Sequence, residues 1–264
     1  MGLRIKSGKA LIFLGEFIKS LAVVMMNPDN LIEFGRRSYS KPGAVSSFSD
    51  RKLLEDGLCM DEERMLKNTS LKSGKILVLG VGGGREAIAL AKMGYEVTGT
   101  DFVEEMCNSA LRNGEKAGVK FNVVTQEMSA PDFPPGSFDI AWLSVGMYSS
   151  IPSRKKRISF LKQINSILKP GGYFILQFHW QDKKKFSPVK ETLKGFLGII
   201  FFGNFRYETG DSLWRDKEFL HFFHDEKLLR SELNESGMDI NLLEIPDLVI
   251  RGNAVLHKRE NGKQ

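Results

Sequence analysis

The sequence predicts an α/β fold: a doubly wound, mostly parallel sheet of seven strands with helices on both faces, preceded by an N-terminal helical cap and carrying an insertion after the fifth strand. Two observations lead to this prediction. Short apolar runs alternate with helix-like stretches from Lys75 to Phe178, which is typical of right-handed strand–helix–strand crossovers. A glycine cluster, Gly80–Gly84, also follows the first apolar run directly, as a loop between a strand and a helix requires.

The elements are predicted in chain order from apolar runs bounded by glycine or polar residues. The predicted strands are Ile76–Leu79, Glu96–Thr100, Lys120–Thr125, Phe138–Ser144, Gly172–Phe178, and strands near Ile240–Ile245 and Ala254–His257. The helices predicted between them are Glu86–Lys92, Glu104–Lys116, Arg154–Leu168, and one that Asp225 caps and that ends before Gly237. Gly94 ends the first of these helices, because glycine readily adopts the left-handed conformation of a helix C-cap.

Residues 1–69 are expected to form the N-terminal cap, and residues 70–264 the α/β domain with its apolar insertion at about 182–215. Five apolar residues of the cap follow the spacing of one helical face: Leu11, Leu14, Ile18, Leu21 and Met25. Asn27-Pro28 is typical of an N-cap followed by proline in the first turn of a second helix. Residues 35–50, rich in Ser, Gly, Arg and Lys, are interpreted as a mobile connection, and residues 50–68 as a polar helix.

The composition is that of an ordinary globular protein, with 264 residues of which 42% are hydrophobic and 27% charged. The net charge is +6, and residues 1–52 supply most of it, with nine Lys/Arg against four Asp/Glu. A nucleic-acid enzyme would usually spread basic charge over its body, so nucleic acid is disfavoured as a partner. The two cysteines, Cys59 and Cys107, cannot form a disulfide framework, which favours a reducing, cytoplasmic location. No residues have metal-ligand spacing, so no metal is predicted.

The strongest functional signal lies between Ile76 and Glu86. A strand, a glycine loop and a helix in this order can bring bare backbone and helix N–H groups to a nucleotide-like ligand, although a plain tight turn would use the same glycines. Asp101 ends the next strand, 21 residues after Gly80, where a carboxylate can accept hydrogen bonds from both ribose hydroxyls. Arg85 stands where a dinucleotide site has its third glycine. The loop therefore suits an adenosine that carries no diphosphate.

These features resemble the class I S-adenosylmethionine-dependent methyltransferases, especially the small-molecule type of methyltransferase domains 11 and 25, which have a Rossmann-like fold. The resemblance covers roughly residues 70–180 and is weaker to about residue 257. The loop Gly80–Gly84 is similar to the first motif of the family, and Leu168–Gly172 to its turn before the fifth strand. Glu127 falls where the family usually places an Asp near the adenine amino group. The resemblance implies S-adenosyl-L-methionine as the cofactor.

The resemblance also implies which residues bind the cofactor. The glycine loop would approach the methionine moiety and Asp101 the ribose, while Phe102 and Met128 would flank the adenine ring unless they are ordinary core residues. The expected cofactor-binding residues are Gly80, Val81, Gly82, Gly84, Asp101, Phe102, Met106, Glu127, Met128, Leu143 and Ser144. Val78 departs from the family, which has Asp or Glu at that position. The role of that acidic residue would here pass to Glu86 or to the N-terminal segment.

Methyl transfer from a sulfonium is an in-line displacement on an activated carbon, and a general base is needed only when the acceptor must lose a proton. Tyr148 and His179 are the candidate catalytic residues, because both follow strands whose carboxyl ends border the expected cleft. His221 and His224 could also reach the cleft. The histidine that the family often has after the fourth strand is replaced here by Ser149-Ser150.

Two unusually apolar segments, residues 10–26 and 194–202, lead to a hypothesis about the acceptor: both cap the cleft and form a pocket for a small apolar or aromatic molecule. They could instead be core helices, or residues 1–26 could contact a membrane surface with their basic residues toward anionic headgroups. An RNA or protein methyltransferase, a nicotinamide-dependent oxidoreductase and a non-catalytic module are the alternative functions. The oligomeric state is left open.

Overall fold

The computed structural model describes residues 2–48, 50–143, 145–200, 203–247 and 251–260. The strands are β1 Lys75–Leu79, β2 Glu96–Asp101, β3 Asn122–Thr125, β4 Phe138–Leu143, β5 Leu168–His179, β6 Asp211–Trp214, β7 Glu218–His221, β8 Asp239–Glu244 and β9 Arg251–His257. Seven of them form one sheet in the order β3-β2-β1-β4-β5-β9-β8. β9 runs antiparallel to β5 and β8, and the other pairs are parallel. The predicted doubly wound, mostly parallel sheet is confirmed.

The helices are α1 Leu3–Met25, α2 Pro28–Tyr39, α3 Pro42–Phe48, α4 Arg51–Glu55, α5 Met60–Asn68, α6 Arg85–Lys92, α7 Glu104–Lys116, α8 Arg154–Ile167, α9 Pro188–Ile200 and α10 Glu226–Asn234. On one face of the sheet, Leu77 and Leu79 of β1 share a buried cluster with α8 and α10. On the other face, Ile76 and Val78 of the same strand pack with α5, α6 and α7. Successive side chains of a strand point to opposite faces, so a strand covered on both sides is apolar throughout.

α2 begins as predicted, with the Asn27 side chain accepting a main-chain N–H at 2.8 Å and Pro28 in the first turn. The prediction of a mobile connection over residues 35–50 is wrong, because α2 continues into this range and α3 follows it. The serines that suggested a loop are held within the helices. The hydroxyls of Ser38 and Ser47 donate to main-chain carbonyls one turn earlier, at 3.0 and 2.7 Å.

The polar helix predicted over residues 50–68 is divided into α4 and α5. α5 falls in the predicted N-terminal cap, yet its side chains Met65 and Leu66 are buried in the cluster that covers one face of the sheet. The body of the fold is therefore packed against chain that precedes residue 70.

α1 lies beside α9 and β6. Val23 and Val24, near its C-terminal end, are buried with Leu31 of α2 and Phe219 of β7. Four of the five residues of the predicted apolar face of α1 are instead exposed: Leu11, Leu14, Ile18 and Met25. Among the described helices, none is by itself long and apolar enough to cross a membrane, although α1 and α2 pass the same test together as a pair bent by 113°.

The insertion after β5 contains α9 and leads into a two-stranded hairpin of β6 and β7 that the sequence pattern does not predict. Its turn has Arg215 and Asp216 at φ values of +50° and +56°. A hairpin turn with two left-handed residues usually carries Asn-Gly or Asp-Gly, so the sequence lacks the usual signal. The hairpin supports the N-terminal helices, since α1 contacts β6 and α2 contacts β7.

Candidate functional site

The glycine loop lies at the carboxyl end of β1, where parallel sheets bind their ligands. Gly80, Gly82 and Gly84 all have positive φ, and Gly84 is the N-cap of α6. A Cβ atom on Gly80 would clash with the terminal methyl of Met147, and one on Gly84 would lie 3.3 Å from Cα of Ala110. Glycine is thus required both for the backbone conformation and for the close approach of neighbouring elements.

The loop is tied to the next strand of the sheet, β2. The main-chain N–H of Val81 donates to the Thr100 carbonyl at 2.7 Å, and the buried Val81 side chain fills the space above Gly99, whose Cβ would lie 2.8 Å from it. The expected site residue Val81 therefore faces the core. Only the main chain of Val81 takes part in the loop.

Asp101 lies at the carboxyl end of β2, directly beside the loop. Its Oδ2 accepts the N–H of Gly82 at 3.0 Å, and its Oδ1 accepts the N–H of Val103 at 3.0 Å. The carboxyl is buried, and this burial raises the pKa of Asp101 to about 6 despite the N–H donors that oppose the shift. The geometry fixes both carboxylate oxygens at the edge of the loop, with acceptor capacity left on each.

Around Asp101 lie the residues expected to contact an adenine ring. The sulfur of Met128 lies 3.8 Å from the position of a Gly80 Cβ, while Phe102 is half-buried and Met106 of α7 is buried. Glu127 uses one oxygen to accept the main-chain N–H and the hydroxyl of Ser129, both at 3.1 Å. Its charge also helps to raise the pKa of Asp101.

Gln126 is a site candidate that the sequence pattern missed. Its main-chain N–H donates to the Asp101 carbonyl at 2.9 Å, and its Oε1 accepts an N–H at 3.1 Å. Its Nε2 is buried and has no partner among the described residues. A buried amide donor without a partner is costly in a folded protein, so this group suits a ligand acceptor. No signal in the sequence distinguishes Gln126 from any polar residue after a strand.

The exit of β4 has unusual backbone geometry. Leu143 is fully buried at the end of the strand, and Ser144 lies outside the described residues. Val145 has a φ of +57°, which is rare for a β-branched side chain and marks a strained position. Its N–H donates to the Gln177 side chain of β5 at 2.8 Å, and Gln177 Nε2 in turn donates to Asn253 of β9 at 2.9 Å. These bonds hold the strained residue in place.

His179 ends β5 and lies beside this exit. A Cβ on Gly146 would be 2.5 Å from its Nε2, and its main-chain N–H donates to the Ser149 hydroxyl at 2.8 Å. Its Nδ1 is buried without a hydrogen-bond partner in the described part of the chain. Burial, with a smaller effect of the Arg251 charge, lowers the pKa of His179 to about 4. At neutral pH the imidazole is therefore uncharged, and a pKa this low makes it a weak base.

The structure corrects the other candidate base, Tyr148. Its side chain is fully buried on the far side of the exit, where its hydroxyl donates to Glu232 at 2.6 Å and its ring stacks on Phe223 at 5.7 Å between centroids. Burial raises the pKa of the Tyr148 phenol well above its usual value. Because its hydroxyl is neither accessible nor easily ionised, Tyr148 is a core residue.

His221 and His224 do not border the loop either. His221 is buried on β7 and its Nδ1 is 2.8 Å from Oδ1 of Asp211. Burial lowers the pKa of His221 to about 3 and raises the pKa of Asp211 to about 7. The half-buried ring of His224 packs against Phe186 at 5.1 Å between centroids. The pair of His221 and Asp211 joins the two strands of the hairpin.

Arg85 points away from the loop, into the N-terminal segment. Its guanidinium makes paired hydrogen bonds of 2.6 and 2.7 Å to Glu62 of α5, which is almost fully buried, and a third bond of 2.6 Å to Glu86. Val78, at the position where the family has an acidic residue, is buried in the core cluster. Glu86 is thus engaged by Arg85, and its expected role toward the ligand stays a prediction.

Helices α2 and α3 lie over the glycine loop. The ring of Phe48 is 3.7 Å from the position of a Gly82 Cβ, and it packs against Tyr39 at 5.9 Å between centroids. Tyr39 also hydrogen-bonds Glu218 of β7, and burial raises the pKa of Tyr39. Phe48 and Tyr39 were missed because they lie in the stretch interpreted as a mobile connection.

A cavity of about 300 Å³ lies between α1, α9 and the hairpin. Its walls include phenylalanines and lysines: Phe13, Phe17, Phe186, Phe222, Lys185, Lys190 and Lys194. The ring of Phe222, one of the cavity walls, is 5.7 Å from the ring of His179, which is itself not a lining residue. The hypothesis that residues 10–26 and 194–202 both cap the cleft stays a prediction, and α1 lines this cavity with Phe13, Phe17 and Ser20. α9 contributes polar residues, and Phe201 and Phe202 lie outside the described residues.

A metal centre has no support in the described part of the chain, where no group of three or more His, Cys, Asp or Glu side chains could hold an ion.

Comparison with known proteins supports this picture. A family profile described as a methyltransferase domain matches residues 76–172. The S-adenosyl-L-methionine-dependent Diels-Alderase iccD of Talaromyces variabilis is 31% identical over 143 residues, 52% of this chain and 46% of that protein. A ubiquinone biosynthesis O-methyltransferase of Coxiella burnetii is 27% identical over 176 residues, 67% of each chain. The chain spans about half the length of most of the curated relatives it matches.

The solved structures include a SAM-dependent methyltransferase of Methanosarcina mazei with a TM-score of 0.61 and 25% identity. The match covers 78% of this chain and 100% of that one, so it extends well beyond the residues that the family profile matches. Together with the family profile on residues 76–172, it supports a class I S-adenosylmethionine-dependent methyltransferase.

Proposed function

We propose that the protein binds S-adenosyl-L-methionine at the glycine loop and transfers its methyl group to a small acceptor held in the cavity between α1, α9 and the hairpin. The observation that carries the proposal is the hydrogen bond from Gly82 N–H to Asp101, 3.0 Å long, which joins the bare backbone of the loop to a buried carboxylate. This pairing is suited to an adenosine, because a carboxylate at the end of the second strand can accept from both ribose hydroxyls.

The described residues fit such a cofactor. The left-handed glycines leave the loop without side chains toward the ligand, and the unpartnered Nε2 of Gln126 offers a donor beside Asp101. Arg85 replaces the third glycine of a dinucleotide loop, and its guanidinium is turned away from the loop to Glu62 of α5. When bound, the cofactor supplies a methyl group on a positively charged sulfur, which is the electrophile of the reaction.

The protein's own contribution is positioning, exclusion of water and removal of a proton. Phe48 and Tyr39 cover the loop from above, which would shield the site from solvent. The strained Val145 and the bonds that fix it define the β4 exit, so the acceptor can be held near attack distance. His179 is uncharged at neutral pH and accepts the proton that a hydroxyl acceptor must lose.

The cavity supports an acceptor that combines an aromatic ring with an acidic group. Its four phenylalanines suit a flat apolar ring, and Lys185 and Lys190 suit a carboxylate or an ionised phenol, whereas Lys194 is paired with Glu191, which lines the cavity together with Asp211. The ammonium group of Lys190 lies 4.0 Å from the ring centre of Phe13, which places a cation directly beside an aromatic wall.

Calorimetric titration with S-adenosylmethionine, S-adenosylhomocysteine and NAD tests the proposal. We expect S-adenosylhomocysteine to bind and NAD to give no heat above dilution. S-adenosylhomocysteine formation should then be followed with a panel of hydroxybenzoates and catechols. Binding of NAD alone would refute the proposed cofactor, whereas cofactor binding without turnover of any acceptor would favour a non-catalytic module.

Replacing His179 by glutamine should lower kcat about 100-fold or more for an acceptor that loses a proton, because general-base catalysis typically contributes that much. Binding of S-adenosylhomocysteine should be unchanged, since His179 faces the acceptor side. His257→Gln is the matched control: in the pairing of β5 and β9, His257 lies opposite Tyr173, at the other end of the strand from His179. An equal loss of kcat in both variants would count against a role as base.

A further inference from the structure

The exposed face of α1 is unusually apolar for a helix on a protein surface. Leu11, Leu14, Ile18 and Met25 are between 51% and 69% exposed, and they follow the spacing of a single stripe along the helix. On the other sides of the helix, Val23 and Val24 are buried near its C-terminal end and Phe13 lines the cavity, whereas Ile5 and Ile12 are also exposed. The stripe is therefore not needed for packing within the chain.

A second apolar stripe lies on the neighbouring helix, α9. Val189, Leu193, Phe196, Ile199 and Ile200 are between 42% and 78% exposed. The two helices touch: α9 contacts α1, and just beyond α9 a main-chain N–H donates to the Val24 carbonyl at 2.7 Å. Because the two helices are in contact, the two stripes are treated together as the α1–α9 surface. Apolar patches of this kind are rare on proteins that contact only water.

The charges around the α1–α9 surface are predominantly positive. Arg4, Lys6 and Lys9 are exposed on α1, and Lys183–Lys185 precede α9. The acidic residue of α9, Glu191, is buried, and its carboxylate is held by Tyr207 and Lys194. A surface of exposed apolar side chains with a cationic rim is complementary to a bilayer that contains anionic lipids.

We propose that the α1–α9 surface docks the protein on the headgroup region of an anionic phospholipid membrane, without spanning it. A second copy of the chain fits this surface poorly, because the two cationic rims would face each other. Docking does not depend on methyl transfer. It does give α1 two functions, since its outward stripe would enter the lipid while its Phe13 and Phe17 line the acceptor cavity.

Co-sedimentation with lipid vesicles tests the proposal. We expect the full-length protein to bind vesicles of phosphatidylcholine mixed with phosphatidylglycerol, to bind vesicles of phosphatidylcholine alone more weakly, and to be released partly by salt. A variant carrying both Leu14→Glu and Phe196→Glu should lose binding about tenfold or more, because two large apolar side chains no longer enter the lipid. Leu228→Glu is the matched control, since Leu228 of α10 is 60% exposed but lies outside the surface.

The proposal would be overturned if the unmodified protein failed to sediment with the anionic vesicles, or if both variants bound equally. Self-association is monitored by light scattering, and a dimer that is lost only in the double variant would assign the surface to a second copy instead. Binding of S-adenosylhomocysteine is measured on the same samples. Failure of the cofactor proposal would then appear in the titration and leave the vesicle result to be judged separately.

Discussion

Replacing Asp101 by alanine should weaken S-adenosylhomocysteine binding about 100-fold or more, because two hydrogen bonds to a carboxylate are lost at once. The same substitution removes the acceptor that holds Gly82 N–H, so the loop also loses its preorganised form. Isothermal titration calorimetry gives the affinity directly. Glu96→Ala is the matched control: it removes an exposed carboxylate from the opposite end of the same strand. Equal affinities of the Asp101→Ala variant and the unmodified protein would refute the role of Asp101.

The same residue makes cofactor binding depend on pH. Burial raises the pKa of Asp101 from 3.8 to about 6, so at pH 5 only about one carboxyl in ten is ionised. If the ionised form accepts the ribose hydroxyls, affinity should fall about tenfold between pH 7 and pH 5. Asp101→Asn cannot ionise and should bind weakly but evenly over this range. The same raised pKa affects the free energy of unfolding. The stability that Asp101 contributes is fully present below pH 3.8 and is lost as the pH rises through about 6.

Removing the buried carboxylate of Glu232 should destabilise the fold by about 3–5 kcal/mol and lower Tm by roughly 10 °C. Arg157 is 1% exposed and donates to both oxygens of Glu232, at 2.8 and 3.0 Å, and to Glu208 at 2.7 Å. Without Glu232, the buried guanidinium keeps one carboxylate partner, and the Tyr148 hydroxyl loses its acceptor. Thermal unfolding of Glu232→Ala, followed by circular dichroism, measures the effect.

A matched control lies on the same helix. Glu226 of α10 pairs with Arg230 at 2.7 Å, and both side chains are nearly half exposed. Exposed pairs of this spacing contribute about 0.3–0.5 kcal/mol, so Glu226→Ala should shift Tm by little. The combined replacement of Arg157 by methionine and Glu232 by leucine should recover part of the stability, because the buried guanidinium is removed together with Glu232, while Glu208 and the Tyr148 hydroxyl still lose their partners. A small loss in Glu232→Ala would mean that Glu208 alone satisfies Arg157.

The central sheet could be predicted from the sequence because its strands are buried on both faces. Ile76 to Leu79 form an unbroken apolar run for this reason, and the glycines after them mark a backbone that cannot carry side chains. The prediction that Asp101 binds the ribose also used only local sequence, namely the position of this aspartate at the end of the strand after the glycine loop. Ribose binding remains a prediction, although the hydrogen bond from Gly82 N–H fixes where the Asp101 carboxylate lies.

Features that depend on distant partners could not be predicted. Tyr148 follows β4 at the position of a site residue, and only its partner Glu232, 84 positions later, shows that it faces the core. The apolar spacing of α1 correctly indicated a helix, but spacing alone does not say which face is buried. Leu14 and Ile18 therefore suggested packing where the structure has exposure. The hairpin of β6 and β7 was missed for a different reason, which is local: its turn contains no glycine.

The pairing of Arg85 with Glu62 also limits how this sequence can evolve. Glycine at position 85 would restore the third glycine of a dinucleotide loop, yet it would leave the carboxylate of Glu62 buried, 1% exposed and without its guanidinium. Such a charge is strongly destabilising. A drift from this loop toward a pyrophosphate-binding one therefore has to change two residues that lie 23 positions apart. A contact that the ligand itself need not touch therefore couples the residue at position 85 of the loop to Glu62 of α5.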